Sequence, residues 1–517
     1  MLKHKSNFFP LQNLIFLQQA RIAFLLYLIE YPMGPQKLEN HLKQMILNIN
    51  YEYEAGRLSA LKLIESTIGK IPAPLLYEHT QLFFLPLVLQ LVNDHSKQCR
   101  EAVGACIFLL FKRLSVDNLL SLYEYVTRWA KQEGDESRKL RRTSSQLFGI
   151  FIEAREDFIK RGETAKEMLQ TICMFLNEEL GKGDYTDIIM GTDWEVSYFC
   201  LVCVEKLNIK LPALTCNNIN LWQLLVKCLA HPHPWIQKIS SRTINSHVCQ
   251  LDLQKLLKKG SKKSFITSVP GSLFQIARNL CYQLNVDEKG QDESVSIIAI
   301  KTLTWVIKAM DKHPKLCFEE ENGMMPETVT VSVNDNENDN ELNLNKPVSW
   351  LMMRLSNIAK AHGKKRREAI FKCFAAFITT CDASIIKPHL ELMIAPLQRE
   401  ISEVTSKSST ALNGSSSDAN ANERSNNADL AQEILHLVEE KCGSEDFLQA
   451  MTSVKKKARD KRVKRKKEIA LEAVNDPESY AKRKTMRNER KKNNKKRKVE
   501  ERRKLRGASQ KTSRYVG

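Results

Sequence analysis

Glycine and proline are scarce in this chain of 517 residues, 19 and 16 in all, and aromatic residues make up only 7%. So few turn formers and rings leave little room for a strand-rich fold, whose hairpins need glycine-bearing turns and whose faces need branched or aromatic side chains. No uncharged apolar run reaches the roughly 20 residues that cross a bilayer, so no membrane partner is expected. Lys3 and Lys5 precede an apolar stretch, as in a signal peptide. Gln12, Gln18, Gln19 and Arg21 interrupt it, however, and no small-residue cleavage site follows, which argues against secretion.

Clustered cysteine is also missing. The 13 cysteines are an odd number scattered through leucine-rich segments, as at Cys106, Cys228, Cys281 and Cys373, and read as reduced core residues of a cytosolic or nuclear protein. Cys200 and Cys203 form a Cys-x-x-Cys inside the apolar run Tyr198 to Val204, with no second pair at ligand spacing, so zinc is not expected. A phosphate loop, a zincin helix, a nucleophile elbow and kinase-type motifs are absent in usable form. Gly181-Lys182-Gly183 reads as a turn, and His231-Pro232-His233 as a helix break rather than a metal pair. Asp335, Glu337 and Asp339 imitate a calcium loop, but position 340 is Asn where the turn needs Gly, and no bidentate Glu follows at the right distance. The expectation is a non-enzyme with no catalytic residue, no metal, no cofactor and no small-molecule substrate.

What the chain does contain is leucine-rich helical rhythm. From Leu11 to about Met310, blocks with 3.6-residue apolar spacing alternate with short polar breaks. The second helix of successive pairs starts near Gln98, Leu140, Trp194 and Trp235, at intervals of 140 − 98 = 42, 194 − 140 = 54 and 235 − 194 = 41. The outer two fall in the roughly 40 to 47 residue period of HEAT and armadillo units, and a loop around Gly181 to Gly191 lengthens the middle one. The clearest unit runs from Leu82 to Leu114, with Pro86 in a first helix, a turn at Asn93-Asp94, and Arg100, Ala102 and Ala105 in a second helix. This resembles the HEAT pattern, which implies that Asp94 and Arg100 pair between neighbouring units. Ala102 and Ala105 are expected where helices pack closely, and Leu147, Ile150, Phe151 and Ala154 form the apolar face of the next unit.

The expected fold is therefore all-α: a HEAT/armadillo-like α-solenoid followed by a basic tail that is largely disordered or a solitary helix. Residues 1–318 carry the repeats, 319–346 an acidic, Asn-rich flexible insertion, and 347–401 further repeats. Residues 402–428 form a Ser/Asn-rich linker. Residues 429–452 form an amphipathic helix with Asp429 as its N-cap and Leu430, Ile434, Leu437 and Val438 as its stripe. Residues 453–517 are the Lys/Arg-rich tail.

Charge is concentrated there. Residues 451–517 hold 27 Lys+Arg and 8 Asp+Glu, so 27 − 8 = 19, which equals the net charge of the whole chain. A neutral body with one strongly positive arm has the field of a phosphate binder. The candidate nucleic-acid contacts are Lys455, Lys456, Lys457, Arg459, Lys461 and Arg462, then Lys482, Arg483, Lys484, Arg487, Arg490, Lys491, Lys492, Arg502, Arg503 and Lys504. Lys464-Arg465-Lys466-Lys467 and Lys495-Lys496-Arg497-Lys498 fit nuclear localisation signals. Asp476-Pro477-Glu478 supplies an N-cap, a first-turn Pro and a first-turn acid for a helix running to Gly507. In isolation this segment should unfold by self-repulsion and order against RNA. Tyr480 and Tyr515 are its only aromatics, so base stacking should contribute little there. Lys364-Lys365-Arg366-Arg367 is the alternative RNA site on the body.

Several blocks resemble the C-terminal part of the small subunit processome component 20 family, giant HEAT-repeat proteins of nucleolar ribosome assembly. They are Ile394-Ala395-Pro396-Leu397 with Arg399-Glu400, then Phe447 to Ala450, then Val474-Asn475-Asp476-Pro477-Glu478 leading to Ala481-Lys482-Arg483-Lys484. Lys495-Lys496-Arg497-Lys498-Val499-Glu500 completes the likeness. These landmarks span roughly residues 347–500. Family members are far longer, and the chain opens in an apolar helix with no polar capping repeat, so a partial chain is expected. The resemblance implies a scaffold in the nucleus and nucleolus, within the particle that contains the U-three small nucleolar RNP. That particle is needed for pre-rRNA processing to small-subunit rRNA and for 40S subunit biogenesis. Its partners would be pre-ribosomal RNA, the U-three snoRNP and other processome proteins. The residues alone leave an alternative, a HEAT-repeat nuclear scaffold that binds proteins without a direct RNA role.

Overall fold

The computed structural model of the chain describes residues 11–134, 137–160, 163–180, 194–256, 264–285, 293–318, 346–361, 363–408 and 419–513. Every regular element among them is helical. Contacts group the chain into two compact units, Met1–Ile385 with Asp418–Asn427, and Ile386–Ser417 with Ala428–Gly517.

The first unit opens with α1 (Leu11–Glu30) and α2 (Pro35–Leu47), and then sets its helices in packed pairs. These are α5 (Thr80–Asn93) with α6 (Lys97–Arg113), α7 (Val116–Lys131) with α8 (Ser137–Ala154), and α10 (Thr164–Leu180) with α11 (Trp194–Lys210). They continue with α13 (Ile219–Cys228) and α14 (Pro234–Cys249), α16 (Ser272–Leu284) and α17 (Glu293–Lys312), and α18 (Pro347–Lys360) and α19 (Lys364–Thr380). The second helices form one layer headed by α3 (Glu54–Lys70), in which α3, α6, α8, α11, α14, α17 and α19 each pack on the next. Short helices α4 (Ala73–Glu78), α9 (Glu156–Lys160), α12 (Pro212–Cys216) and α15 (Phe265–Ser268) lie in the connections, and α20 (Ala383–Ile386) follows α19. This is the expected α-solenoid: each pair buries its apolar stripe only by stacking on its neighbours.

The repeat length is legible in the second-helix starts, since 97 − 54 = 43, 137 − 97 = 40 and 234 − 194 = 40. The longer intervals contain residues 181–193, 257–263 with 286–292, and 319–345, which lie outside the described residues. The Gly181-Lys182-Gly183 turn, the Asp335-Glu337-Asp339 triplet and nearly all of the acidic insertion are among them. Helix starts are set by side chains that accept the orphan amides of the first turn. Ser96 accepts from the Cys99 amide at 3.2 Å, Ser115 from Asn118 at 3.2 Å and Asn218 from Leu221 at 3.1 Å. Pro35, Pro212, Pro234 and Pro347 occupy first-turn positions where no amide is needed.

Between units, the described hydrogen bonds show a recurring device that the sequence did not disclose. A cation late in one second helix reaches back to the carbonyls that end the preceding one. Arg155 Nη1 donates to Leu114 O at 2.8 Å and Lys210 Nζ to Ile152 O at 2.7 Å. Arg113 does the same to Ile68 O, and His313 Nε2 donates to Leu253 O at 2.8 Å. Each satisfies a helix-end acceptor and places positive charge at the negative end of a helix dipole.

The Asp94 pairing differs from the expectation. Its carboxylate is bound in a fork by Arg57 of the preceding unit, Nε to Oδ2 at 2.9 Å and Nη2 to Oδ1 at 3.0 Å, while Arg100 donates to the Asp94 and His95 carbonyls at 2.6 and 3.1 Å. Arg57 is the fourth residue of α3 as Arg100 is of α6, so the turn acid of one unit meets the arginine of the unit before it. Nor is Ala105 at a close helix contact. It is exposed and Ala102 half-buried, while Cys99, Val103, Cys106, Ile107 and Leu110 form the buried face of α6. Cys200 and Cys203 point into the seam between α8 and α11, where Cys200 Sγ lies 3.3 Å from Ser145 Oγ and Cys203 donates to Ser145 O at 3.2 Å. Burial pushes the Cys200 thiol up to about 12, the protonated state of a packing residue rather than a thiolate ligand.

In the second unit, α21 (Leu390–Ser408) packs on α23 (Ser444–Asn475), and α24 (Pro477–Ser513) follows α23; α22 (Ala419–Cys442) has its C-terminal part here. Of the family-like blocks, Ile394 and Leu397 on α21 and Phe447 and Ala450 on α23 are buried, so that resemblance falls on packing residues. The expected 402–428 linker meets helices from both sides, because α21 runs to Ser408 and α22 starts at Ala419; residues 409–418 lie outside the described set. Asp429 is therefore inside α22 and exposed rather than its N-cap, and the buried stripe is Ala431, Ile434, Val438 and Cys442. Leu430 and Leu437 are half-buried at its margins.

Candidate nucleic-acid interface

The tail cations belong to two successive helices. Gly443, at φ 92, separates α22 from α23, a backbone conformation that a side chain would strain. From Ser444 the helix runs without interruption out of the packed segment into the cationic one. Its first turns are anchored by buried Phe447, Ala450 and Val454, and by Lys387 to Asp446 at 2.7 Å and Lys457 to Glu391 at 2.8 Å. Beyond Val454 the described residues of α23 are not buried.

Asp476 ends α23 and starts α24. Its amide donates to Glu472 O at 2.9 Å, its side chain accepts from the Ser479 amide at 3.0 Å, and its carbonyl accepts from the Tyr480 amide at 3.1 Å. Those amide bonds hold the Asp476 carboxyl below its usual range. Arg483 spans the break to Glu472 at 3.0 Å, and Lys482 pairs with Glu478 one turn away at 2.7 Å. With 37 residues, α24 is about 55 Å long at 1.5 Å per residue. It passes the expected stop at Gly507 and ends at Ser513.

Of the sequence-derived contacts, Lys455, Lys456, Lys457, Arg459, Lys461, Arg462, Lys482, Arg483, Lys484, Arg487, Arg490, Lys491 and Lys492 are all exposed. In the localisation runs, Lys464 is half-buried and Arg465, Lys466, Lys467, Lys495, Lys496 and Arg497 are exposed. Lys498, Arg502, Arg503 and Lys504 lie on the α24 backbone, with side chains outside the described set. Consecutive cations at 100° per residue occupy every face of each helix, so the two helices are cationic cylinders without a single groove. Such a surface suits phosphates, with their counterion release, rather than base edges.

A second group, on the first unit, escaped the sequence reading. Trp194 opens α11 and Trp235 is the second residue of α14. Trp194 stacks on His233 with ring centroids 4.2 Å apart at 17°, Tyr198 lies 6.3 Å from Trp194, and Trp235 meets Tyr198 edge-on at 5.9 Å. Lys238 Nζ sits 5.6 Å from the Trp235 ring centre. The discoverable signal was a tryptophan at the start of two successive second helices, with Tyr198 and Lys238 one turn further along.

The small subunit processome component 20 homolog, C-terminal family matches residues 221–501, that is 501 − 221 + 1 = 281 of the 517. The U3 small nucleolar RNA-associated protein 20 of Schizosaccharomyces pombe (strain 972 / ATCC 24843) is 24% identical over 469 residues, covering 89% of this chain and 17% of its own length. The protein of the same name from Saccharomyces cerevisiae (strain ATCC 204508 / S288c) is 21% identical over 481 residues, covering 91% of this chain and 17% of its own length. The chain thus spans about 17% of the length of the curated relatives it matches. Among solved structures, the karyopherin Kap121p bound to the SUMO protease Ulp1p shares 11% identity at a TM-score of 0.49, over 81% of this chain and 35% of that one. Importin beta in an ammonium sulfate condition shares 13% at 0.47, over 86% and 49%.

Proposed function

The chain belongs to the small subunit processome component 20 homolog, C-terminal family, and from that premise we propose that it is a non-enzymatic scaffold of the small-subunit processome in the nucleolus. In this reading it acts in pre-rRNA processing to small-subunit rRNA and in 40S subunit biogenesis, alongside the U3 snoRNP and other processome proteins. The solenoid supplies protein-binding surface, and α23 and α24 hold pre-ribosomal RNA through phosphates. The observation that carries the RNA part is the exposed run of cations on two helices that hold the chain's whole surplus of 19 positive charges.

The test is titration of the chain against unrelated structured RNAs at several salt concentrations. Neutralising about eight phosphates gives a log–log salt slope of roughly −6, and replacing Lys464, Arg465, Lys466 and Lys467 by Gln lowers its magnitude by about 3. Affinity is shared across RNA sequences. A flat salt response, or strong preference for one sequence, overturns the phosphate mechanism. Crosslinked RNA recovered from cells and sequenced should be pre-ribosomal; its absence there overturns the processome assignment.

A further inference from the structure

The geometry points to a second nucleic-acid contact, on the first unit, where Trp194, Tyr198, His233 and Trp235 form an aromatic shelf that takes the unpaired bases of single-stranded RNA. It stands apart from the tail reading, on other helices and through other chemistry.

The four rings form a continuous row: His233 on Trp194, Trp194 beside Tyr198, and Tyr198 against Trp235, with centroid distances of 4.2, 6.3 and 5.9 Å. Core tryptophans in this protein are covered, as Trp222 is at 0% exposure, stacked on Phe265 at 4.7 Å with its indole N–H donating to Thr215 O at 3.0 Å. Trp235 is 50% exposed, and Trp194, Tyr198 and His233 are half-buried. The row is thus held by its own edge contacts with aromatic surface left to solvent. Burial lowers the proton affinity of His233, so the imidazole stacked on Trp194 is the neutral, aromatic form at neutral pH.

Charge decides the occupant. The acidic residues of α11 are Glu195 and Glu205, and α14 has none. Glu195 is paired with Arg142 at 2.6 Å and Glu205 with Arg242 at 2.9 Å. Lys238 stands at the end of the row beside the Trp235 ring. An ammonium there repels a cationic or methyl-lysine peptide, the usual guest of an aromatic cage, and attracts an anion at the ring's margin. A nucleotide brings both parts, a flat base for the ring and a phosphate for the lysine. Single strands bind such platforms with little sequence preference because every base has a π-face. A duplex, with its bases already stacked, cannot use them.

The full chain is titrated with a twelve-nucleotide oligouridine and with an abasic strand of equal length and charge, following intrinsic tryptophan fluorescence and anisotropy. Oligouridine quenches the fluorescence and binds about tenfold tighter than the abasic strand, the effect of one stacked base. Trp235→Ala removes that preference and leaves abasic binding unchanged, Trp235→Phe retains most of it, and Lys238→Gln weakens oligouridine binding a few-fold. The proposal is overturned if the unaltered chain shows neither quenching nor base preference, or if folded Trp235→Ala keeps the preference. It is also overturned if a photo-crosslinker at position 235 joins only protein in the assembled particle, which gives the shelf to a protein partner. A chain with its tail lysines neutralised loses abasic binding but keeps the base preference. Unchanged abasic binding in that chain would instead contradict the tail reading alone.

Discussion

Replacing Asp94 by Ala separates two units of the solenoid at one point. The Asp94 side chain is 1% exposed and the Arg57 side chain 15%, joined by two charge-assisted bonds at 2.9 and 3.0 Å. The same carboxylate also accepts from the Ser96 amide at 2.8 Å and from Gln90 at 2.5 Å. Hydrogen bonds to charged groups are each worth about 1.5–3 kcal/mol, and leaving one partner of a buried pair alone costs about 3–5. Arg57 retains some solvent, so about 3 kcal/mol is expected for Asp94→Ala, with a coupling to Arg57→Ala of about 2 kcal/mol in a double-mutant cycle. Because a repeat array unfolds locally, the assay is hydrogen exchange of the α3, α5 and α6 amides, which should speed up about a hundredfold in Asp94→Ala. Burial alone would raise the Asp94 carboxyl, but Arg57, Ser96 and Gln90 outweigh it and hold it below its usual range. The contribution is therefore fully present above about pH 4 and fades as pH falls through the lowered value. A coupling under about 0.5 kcal/mol, or protection lost equally in α16 and α17, would refute the argument.

His247, buried against Trp222 and 2.9 Å from Ser264 Oγ, is pushed down to about 4 by burial. Its contribution is present above about pH 6.5 and lost as pH falls through about 4, up to about 3 kcal/mol; exchange of the α14 amides should rise in that window, and His247→Gln should flatten the response. Gly443→Ala should destabilise the start of α23 by about 1–2 kcal/mol, because its φ of 92 disfavours any Cβ although no atom lies within 4 Å; thermal melts of the variant check it. Deleting residues 453–507 should move a fluorescent fusion out of the nucleolus, while neutralising Lys464 to Lys467 alone should weaken import less, since a second cationic run remains. Unchanged nucleolar signal after the deletion would contradict the localisation assignment.

Sequence alone determined the all-α class, the repeat length and the location of positive charge. These follow from local information: 3.6-residue apolar spacing in the pairs, caps such as Ser96, Ser115 and Asp476, and a count of lysines and arginines. The α24 start at Pro477 was legible because an N-cap, a first-turn proline and an acid are adjacent in the chain. Contacts between units were not legible, because they join residues roughly 40–60 positions apart whose partners depend on how one helix pair lies on the next. Arg57 rather than Arg100 reaches Asp94, Ala105 faces solvent while Cys106 is buried, and Arg155 and Lys210 cap carbonyls one unit back. α22 likewise begins ten residues before the apparent cap at Asp429, since 429 − 419 = 10, in a segment whose composition reads as linker. The aromatic shelf belongs to the same class: Trp194 and Trp235 are 41 positions apart, and only the stacking of α11 on α14 puts them in one row.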